Sequence, residues 1–182
     1  VGLTCGGVID IFVARISPAT FPEFDQVAQA IQAGAPVAVV RPGDTAEVQA
    51  CVKIAAAHGV AIVPIGGNTG LVGGTMTKGG LMVSLERMNR IRALKPEARL
   101  VVAEAGVVLS RLHDAAEAEG LYFPLWFGAR GSAMLGGVLS TNAGGSNVLR
   151  YGSTRALCLG LEVVLAEMRE AGSEEGRVGK EC

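Results

Sequence analysis

The sequence has no excess of charge of either sign. Sixteen Lys and Arg stand against 17 Asp and Glu, for a net charge of −1. Without a basic face, nucleic acid is not an expected partner. There is no Cys-x-x-Cys pair: Cys5, Cys51, Cys158 and Cys182 lie far apart. That spacing speaks against a zinc site and for reduced thiols in a cytoplasmic protein, and no metal is expected. No window of about eighteen residues is apolar without glycine runs or charges, so no membrane span is expected despite a mean hydropathy of +0.40. The N-terminus lacks the basic-then-apolar pattern of a secretory signal. It begins at Val1 rather than Met, which reads as a clipped start. Aromatic residues are scarce as well, at 4%.

What the chain has in excess is glycine, 26 residues of 182, about twice the usual share of roughly 7%. A hydrophobic fraction of 49% and a charged fraction of 18% exclude disorder, and the glycines follow no three-residue period, which excludes collagen. Fourteen of them fall in two patches. Gly59, Gly66, Gly67, Gly70, Gly73, Gly74, Gly79 and Gly80 form the first, and Gly128, Gly131, Gly136, Gly137, Gly144 and Gly145 the second.

The residues between the patches follow a regular β/α rhythm, so the patches read as loops in a folded frame. Pro36–Val40 is a short β-branched run that predicts a buried strand. Asp44, three residues before Glu47, predicts a capped helix start. Val48, Cys51, Val52 and Ala55 form one apolar stripe, and Gly59 stops the helix. Val60–Val63 predicts the next strand, ending at Pro64, in a β–α–β unit whose two strands pair in parallel. Leu81–Leu85 and Leu100–Ala103 predict further strands, joined by a charged connection. Val107–Glu119 predicts a helix, Leu121–Phe123 a short strand and Leu159–Leu165 a last one.

The first patch, PIGGNTGLVGG at 64–74, lies where a parallel strand ends, the usual place for a ligand in an open α/β sheet. Bare backbone there lets several N–H groups converge on one anion, and a diphosphate suits it. It is neither a Walker loop nor a Rossmann GxGxxG. A glycine-rich bend with no ligand is the alternative. A GxxxG contact between membrane helices through Gly66 and Gly70 fails for want of an apolar 20-residue run. The second patch, GSAMLGGVLSTNAGG at 131–145, adds Ser132, Ser140, Thr141 and Asn142, short side chains able to donate to phosphate, ribose or a heterocycle edge. Two such loops suggest an extended cofactor held at both ends.

At these residues the chain resembles a known family. Val40-Arg41-Pro42 with Glu47-Val48, PIGGNTGLVGG, SLERMNRI at 84–91, and GSAMLGGVLSTNAGG with LRYGSTR after it are similar to the FAD-binding (PCMH-type) domain of the vanillyl-alcohol-oxidase type flavoproteins. The nearest branch is the FAD-linked 2-hydroxy-acid dehydrogenases of D-lactate, glycolate and D-2-hydroxyglutarate type. The resemblance implies an α/β (α+β) fold in two parts: a short parallel β-α-β unit followed by a second, mixed sheet, incomplete at the C-terminus. It implies that Ile65, Gly66, Gly67, Asn68, Thr69, Gly70 and Leu71 wrap the FAD pyrophosphate. It further implies that Gly131, Ser132, Gly136, Gly137, Ser140, Thr141, Asn142 and Gly144 run along the flavin and ribityl chain. Some relatives attach flavin through His or Cys, and neither occurs in 60–112 or 114–157, so non-covalent FAD is expected. The family reaction oxidises a 2-hydroxy acid, passing its α-hydrogen to flavin as hydride while a base takes the hydroxyl proton. The family's cap, with its arginines and histidines, follows the region matched here. His58, before a helix-stop glycine, and His113, inside a helix, read as ordinary helix residues, and no catalytic residue is assigned.

The two ends do not match. Residues 167–182 form a polar tail without apolar period or cap, best explained by a frameshift or assembly artefact. Residues 1–35 weakly resemble a fragment of the xanthine-dehydrogenase accessory proteins that help insert molybdenum cofactor, which would single out Cys5. An edge strand at Val8–Val13 and a helix at Phe24–Gln32, with Cys5 an ordinary small residue, is the other reading. The expected organisation is an appendage at 1–35, the FAD-binding part at 36–166 and the tail at 167–182. Function then divides three ways: the FAD-binding part of a 2-hydroxy-acid oxidoreductase, inactive by itself; a non-enzymatic accessory fragment; or an inactive chimera. An incomplete sheet would leave an edge for self-association.

Overall fold

The computed structural model describes residues 13–14, 38–77, 79–165 and 179–181. The expected helix at 24–32, Cys5, the start of the Val8–Val13 strand and most of the tail lie outside the described residues.

β1 (Val13–Ala14) and β2 (Ala38–Val40) open a parallel sheet. All three β2 residues are buried, as in a strand covered on both faces. α1 (Thr45–Ala57) follows. Asp44 Oδ1 accepts from the Glu47 N–H at 2.8 Å, as the sequence predicts. The Glu47 carboxylate reaches back one residue further than a capping box requires and accepts from the Gly43 N–H at 2.7 Å. His58 caps the C-terminus and Gly59 turns away at φ +64°, a left-handed stop that glycine adopts without cost. Cys51 and Ala55 from the predicted stripe are buried with Ala38, Val40, Val60, Leu81 and Val83 in the first core.

β3 (Ile62–Ile65) and β4 (Leu81–Ser84) complete this sheet in the order β1-β2-β4-β3, all parallel. The β2–α1–β3 strands are parallel, as expected, but they do not pair. β4 lies between them, aligned by Leu81 with both Ala38 and Ile62. The composition of the strands accounts for this. β4 is apolar through Val83, and Leu81 is fully buried, which suits a central position. β3 contains Pro64, which has no N–H for a second neighbour and belongs at an edge. Pairing on one side only also lets the strand run on through Pro64 to Ile65.

The second layer begins with β5 (Ile91–Lys95) and β6 (Leu100–Ala103), an antiparallel hairpin closed by a 3-10 turn at Pro96–Ala98. The stretch 91–95 is thus a strand where the sequence predicts a charged connection. A register shift between Ile91 and Ala93 breaks the two-residue alternation there. Among the described residues this second sheet is two-stranded and antiparallel rather than mixed.

α2 (Leu109–Ala118) starts two residues later than predicted. Val108 is drawn into an antiparallel bridge with Met134, and the Leu109 N–H donates to the Ala133 carbonyl at 2.9 Å. The predicted strand at Leu121–Phe123 is absent. That stretch forms no ladder and is secured by Asn147, whose Nδ2 donates to the Tyr122 hydroxyl at 2.7 Å and the Pro124 carbonyl at 3.0 Å.

The second glycine patch is not a plain loop. It holds a 3-10 turn at Gly128–Gly131 and a short helix, α3 (Leu135–Ser140), then α4 (Val148–Tyr151) and a second such turn at Thr154–Leu157. Leu109, Leu125, Ala133 and Val138 form the core beneath it. β7 (Leu161–Val163) is shorter than the predicted strand and pairs antiparallel with β8 (Gly179–Glu181).

Candidate functional site

The first loop leaves the C-terminal end of β3. Asn68 takes a left-handed conformation, φ +51°, and Gly73 another, φ +71°. The Thr75 hydroxyl donates to Asn68 Oδ1 at 2.6 Å, and the Met76 N–H donates to the Gly73 carbonyl at 2.9 Å. Ile65, Gly66 and Gly67 are half-buried, whereas Asn68, Thr69, Gly70 and Leu71 are exposed. Leu71 is 99% exposed.

The structure brings the two patches together at one point. A Cβ on Gly67 would overlap the Ser132 carbonyl oxygen and lie 3.1 Å from Ala133 Cα. A Cβ on Gly66 would touch Met134 Cβ at 3.5 Å. Gly66, Gly67 and Ser132 are therefore neighbours, and only glycine lets the Gly67 backbone come so close. At Gly70 and Gly74 on one side, and at Gly131 and Gly137 on the other, an added Cβ would meet nothing within 4 Å. Bare backbone beside open space is the arrangement that admits a bulky anion.

The remaining predicted residues are engaged locally. The Gly136 N–H donates to the Ala105 carbonyl at 2.7 Å, and this backbone packs on Ala105. Ser140 and Thr141 donate their hydroxyl protons to the carbonyls of Gly136 and Gly137, at 2.6 and 2.9 Å. Such back-bonding to the preceding turn leaves each oxygen as an acceptor only. Asn142, at φ +48°, accepts the Arg155 N–H through Oδ1 at 2.9 Å. A Cβ on Gly144 would lie 3.9 Å from the Val148 side chain.

Two of the family-like motifs join each other. Arg41 pairs with Glu86 at 2.9 Å, while Arg87 reaches Glu47 at 3.6 Å and donates to the Arg41 carbonyl at 2.7 Å. The segments after β2 and after β4 are thereby fastened together beside the capped start of α1.

Glu104 carries no signal in the local sequence pattern. Its side chain is fully buried and receives Arg90 through Nε and Nη2 at 3.0 and 2.8 Å, the Arg90 N–H at 2.8 Å and Arg92 Nε at 3.2 Å. The hydrogen bond from the Arg90 guanidinium holds its carboxyl down at about 2, against the opposing effect of burial. Arg92 continues to Glu162 at 3.2 Å, and Glu162 accepts from the Thr45 hydroxyl at 2.9 Å. Gly106 is silent in the sequence for another reason. A Cβ there would overlap the Leu85 carbonyl, a tertiary contact that no local pattern announces.

His113 Nε2 meets the Leu125 carbonyl at 2.8 Å, and its ring stacks 5.0 Å from Trp126, which carries Arg130 on its face at 4.0 Å. His113, Glu117, Tyr122 and Trp126 line a cleft of about 450 Å3 that includes no residue of the two expected cofactor segments. Burial pushes the Cys51 thiol up to about 11, so it is inert. Among the described residues no cluster of three His, Cys, Asp or Glu could hold a metal, and no helix is long and apolar enough to cross a membrane.

Comparison with known proteins shows the family and the fold. A family model described as FAD binding domain matches residues 36–168. A D-2-hydroxyglutarate dehydrogenase of Xanthomonas citri pv. viticola is 47% identical over 130 residues, 71% of this chain and 28% of that protein. A D-lactate dehydrogenase of Archaeoglobus fulgidus is 41% identical over 132 residues, 72% of this chain and 29% of that protein. Among solved structures, an alkyldihydroxyacetonephosphate synthase superposes with a TM-score of 0.65 at 22% identity, over 70% of this chain and 26% of its own. The chain thus spans less than a third of the length of the curated relatives it matches.

Proposed function

The chain belongs to the FAD binding domain family, and on that footing we propose that its two glycine loops hold FAD for an oxidoreductase acting on a 2-hydroxy acid. The observation that carries this reading is the meeting of Gly66 and Gly67 with Ser132 and Met134, which leaves uncovered backbone at Gly70, Gly131 and Gly137. Gly66 to Gly70, with Ile65 and Leu71 at the flanks, would take the pyrophosphate. Gly131, Ser132, Gly136, Gly137, Ser140, Thr141, Asn142 and Gly144 would line the flavin and ribityl side. In that role Ser140 and Thr141 accept hydrogen bonds from the ribityl hydroxyls, because their own protons are held by the helix.

Bound FAD supplies a hydride acceptor for the substrate's α-carbon. This chain's residues bind and orient it. We propose that attachment is non-covalent, a reading supported by the lack of His and Cys in 60–112 and 114–157 and by the bond of His113 to the Leu125 carbonyl. The substrate class rests on the names of the relatives, two of which are dehydrogenases of 2-hydroxy acids. We place the FAD-binding part at 36–166, with 1–35 and 167–182 outside it, in a cytoplasmic protein.

The test is FAD uptake. The purified chain, or a longer protein containing it, is expected to carry or take up FAD, seen as the visible flavin absorbance band. Acid precipitation should release all the flavin into the supernatant. A folded protein that neither carries nor takes up FAD would refute the reading, and flavin retained in the precipitate would refute non-covalent attachment.

A further inference from the structure

We propose that Thr75 is a positioning residue of the cofactor cradle, fixing the Asn68 amide so that its donor end is the one left for the pyrophosphate. This rests on the FAD reading above and deepens it. An amide side chain has a donor end and an acceptor end, and a pyrophosphate only accepts. An unrestrained Asn in an exposed loop would offer either end, and its carbonyl would repel the anion. Here the Thr75 hydroxyl donates to Asn68 Oδ1 at 2.6 Å. That bond turns the acceptor end toward Thr75, and among the described residues nothing accepts from Nδ2.

The same contact shapes the backbone. Asn68 is left-handed at φ +51°, a conformation that Asn adopts more readily than most residues because its short side chain bonds locally. Six residues separate the two partners, and the intervening segment is tightened by the Gly73 turn at φ +71° with its bond to Met76. Thr75 thus closes the loop across its own base while Gly70 stays open. The loop is held ready before any ligand arrives, which lowers the ordering cost of binding.

The experiment titrates FAD into the full chain and its variants by flavin fluorescence, with the thermal midpoint of each cofactor-free protein measured in parallel. Thr75→Val is expected to weaken FAD binding on the order of fivefold, the worth of one such hydrogen bond, with no change in midpoint. Thr75→Ser should restore wild-type affinity. Because Thr75 acts through Asn68, adding Thr75→Val to Asn68→Ala should cost no further affinity, and additive losses would overturn the proposal. Wild-type affinity in Thr75→Val, failure of Thr75→Ser to restore it, or a midpoint that falls in step with affinity would overturn the proposal while leaving the FAD reading intact. Absence of uptake by the folded wild-type chain would overturn both.

Discussion

Gly67 and Gly70 stand three residues apart in the first loop, and a side chain at each would meet different surroundings. At Gly67 it would strike the Ser132 carbonyl, whereas at Gly70 it would enter open space. Gly67→Ala is therefore expected to lower stability by about 1–3 kcal/mol through overpacking against backbone, read as a shift in the urea midpoint. Gly70→Val should leave that midpoint in place and abolish FAD uptake, and retained uptake would remove Gly70 from the cradle. Glu104 makes a prediction of another kind. Its carboxyl is held at about 2 in the folded state against an ordinary 4.5, so the unfolded chain binds the proton more tightly. Its contribution, up to about 3 kcal/mol, is present above pH ~5 and lost as the pH falls toward 2. Glu104→Gln should flatten that part of the stability-against-pH profile, and an unchanged profile would show that the pair does not govern acid stability. Both glycine patches are legible as candidate site residues because glycine density is a local signal. Gly106 and Glu104 are not, because what makes them matter lies on other elements, at Leu85 and at Arg90 and Arg92.

Elements whose ends are set locally are the ones most legible in the sequence. α1 has its cap in Asp44 and its stop in Gly59, and both act as the residues predict. Asp44→Ala is expected to cost about 1 kcal/mol and Asp44→Asn much less, measured by urea unfolding; equal losses would mean that the cap bond to Glu47 contributes nothing. The start of α2 departs from the sequence pattern because a contact with Met134 overrides the periodicity of Val107 and Val108. β5 is hidden by its own irregularity at Arg92. The helix inside the second patch is hidden by composition, since Gly136 and Gly137 are poor helix formers and α3 forms through its contacts with Ala105 and Val107. The place of β4 between β2 and β3 is beyond any local reading, because neighbours in a sheet are chosen by the whole fold.

At the scale of the whole molecule, apolar surface gathers near β7. Leu159, Leu161, Val163 and Leu165 are 73%, 46%, 39% and 57% exposed. We expect this edge to make the chain self-associate. Light scattering should then show a concentration-dependent mass that Leu161→Lys shifts toward the monomer; a monomer at all concentrations would refute it. The order of strands has a consequence during synthesis. Among the described residues β2 and β3 share no ladder and are joined through β4, so the ribosome must deliver Leu81 before β3 meets its described partner. Sixteen positions separate Ile65 from Leu81, roughly 1–3 s at ordinary elongation rates of about 5–20 residues per second. The stretch translated in that interval is the glycine loop itself, so any lengthening of the cradle would also prolong the time for which a nascent β3 waits unpaired.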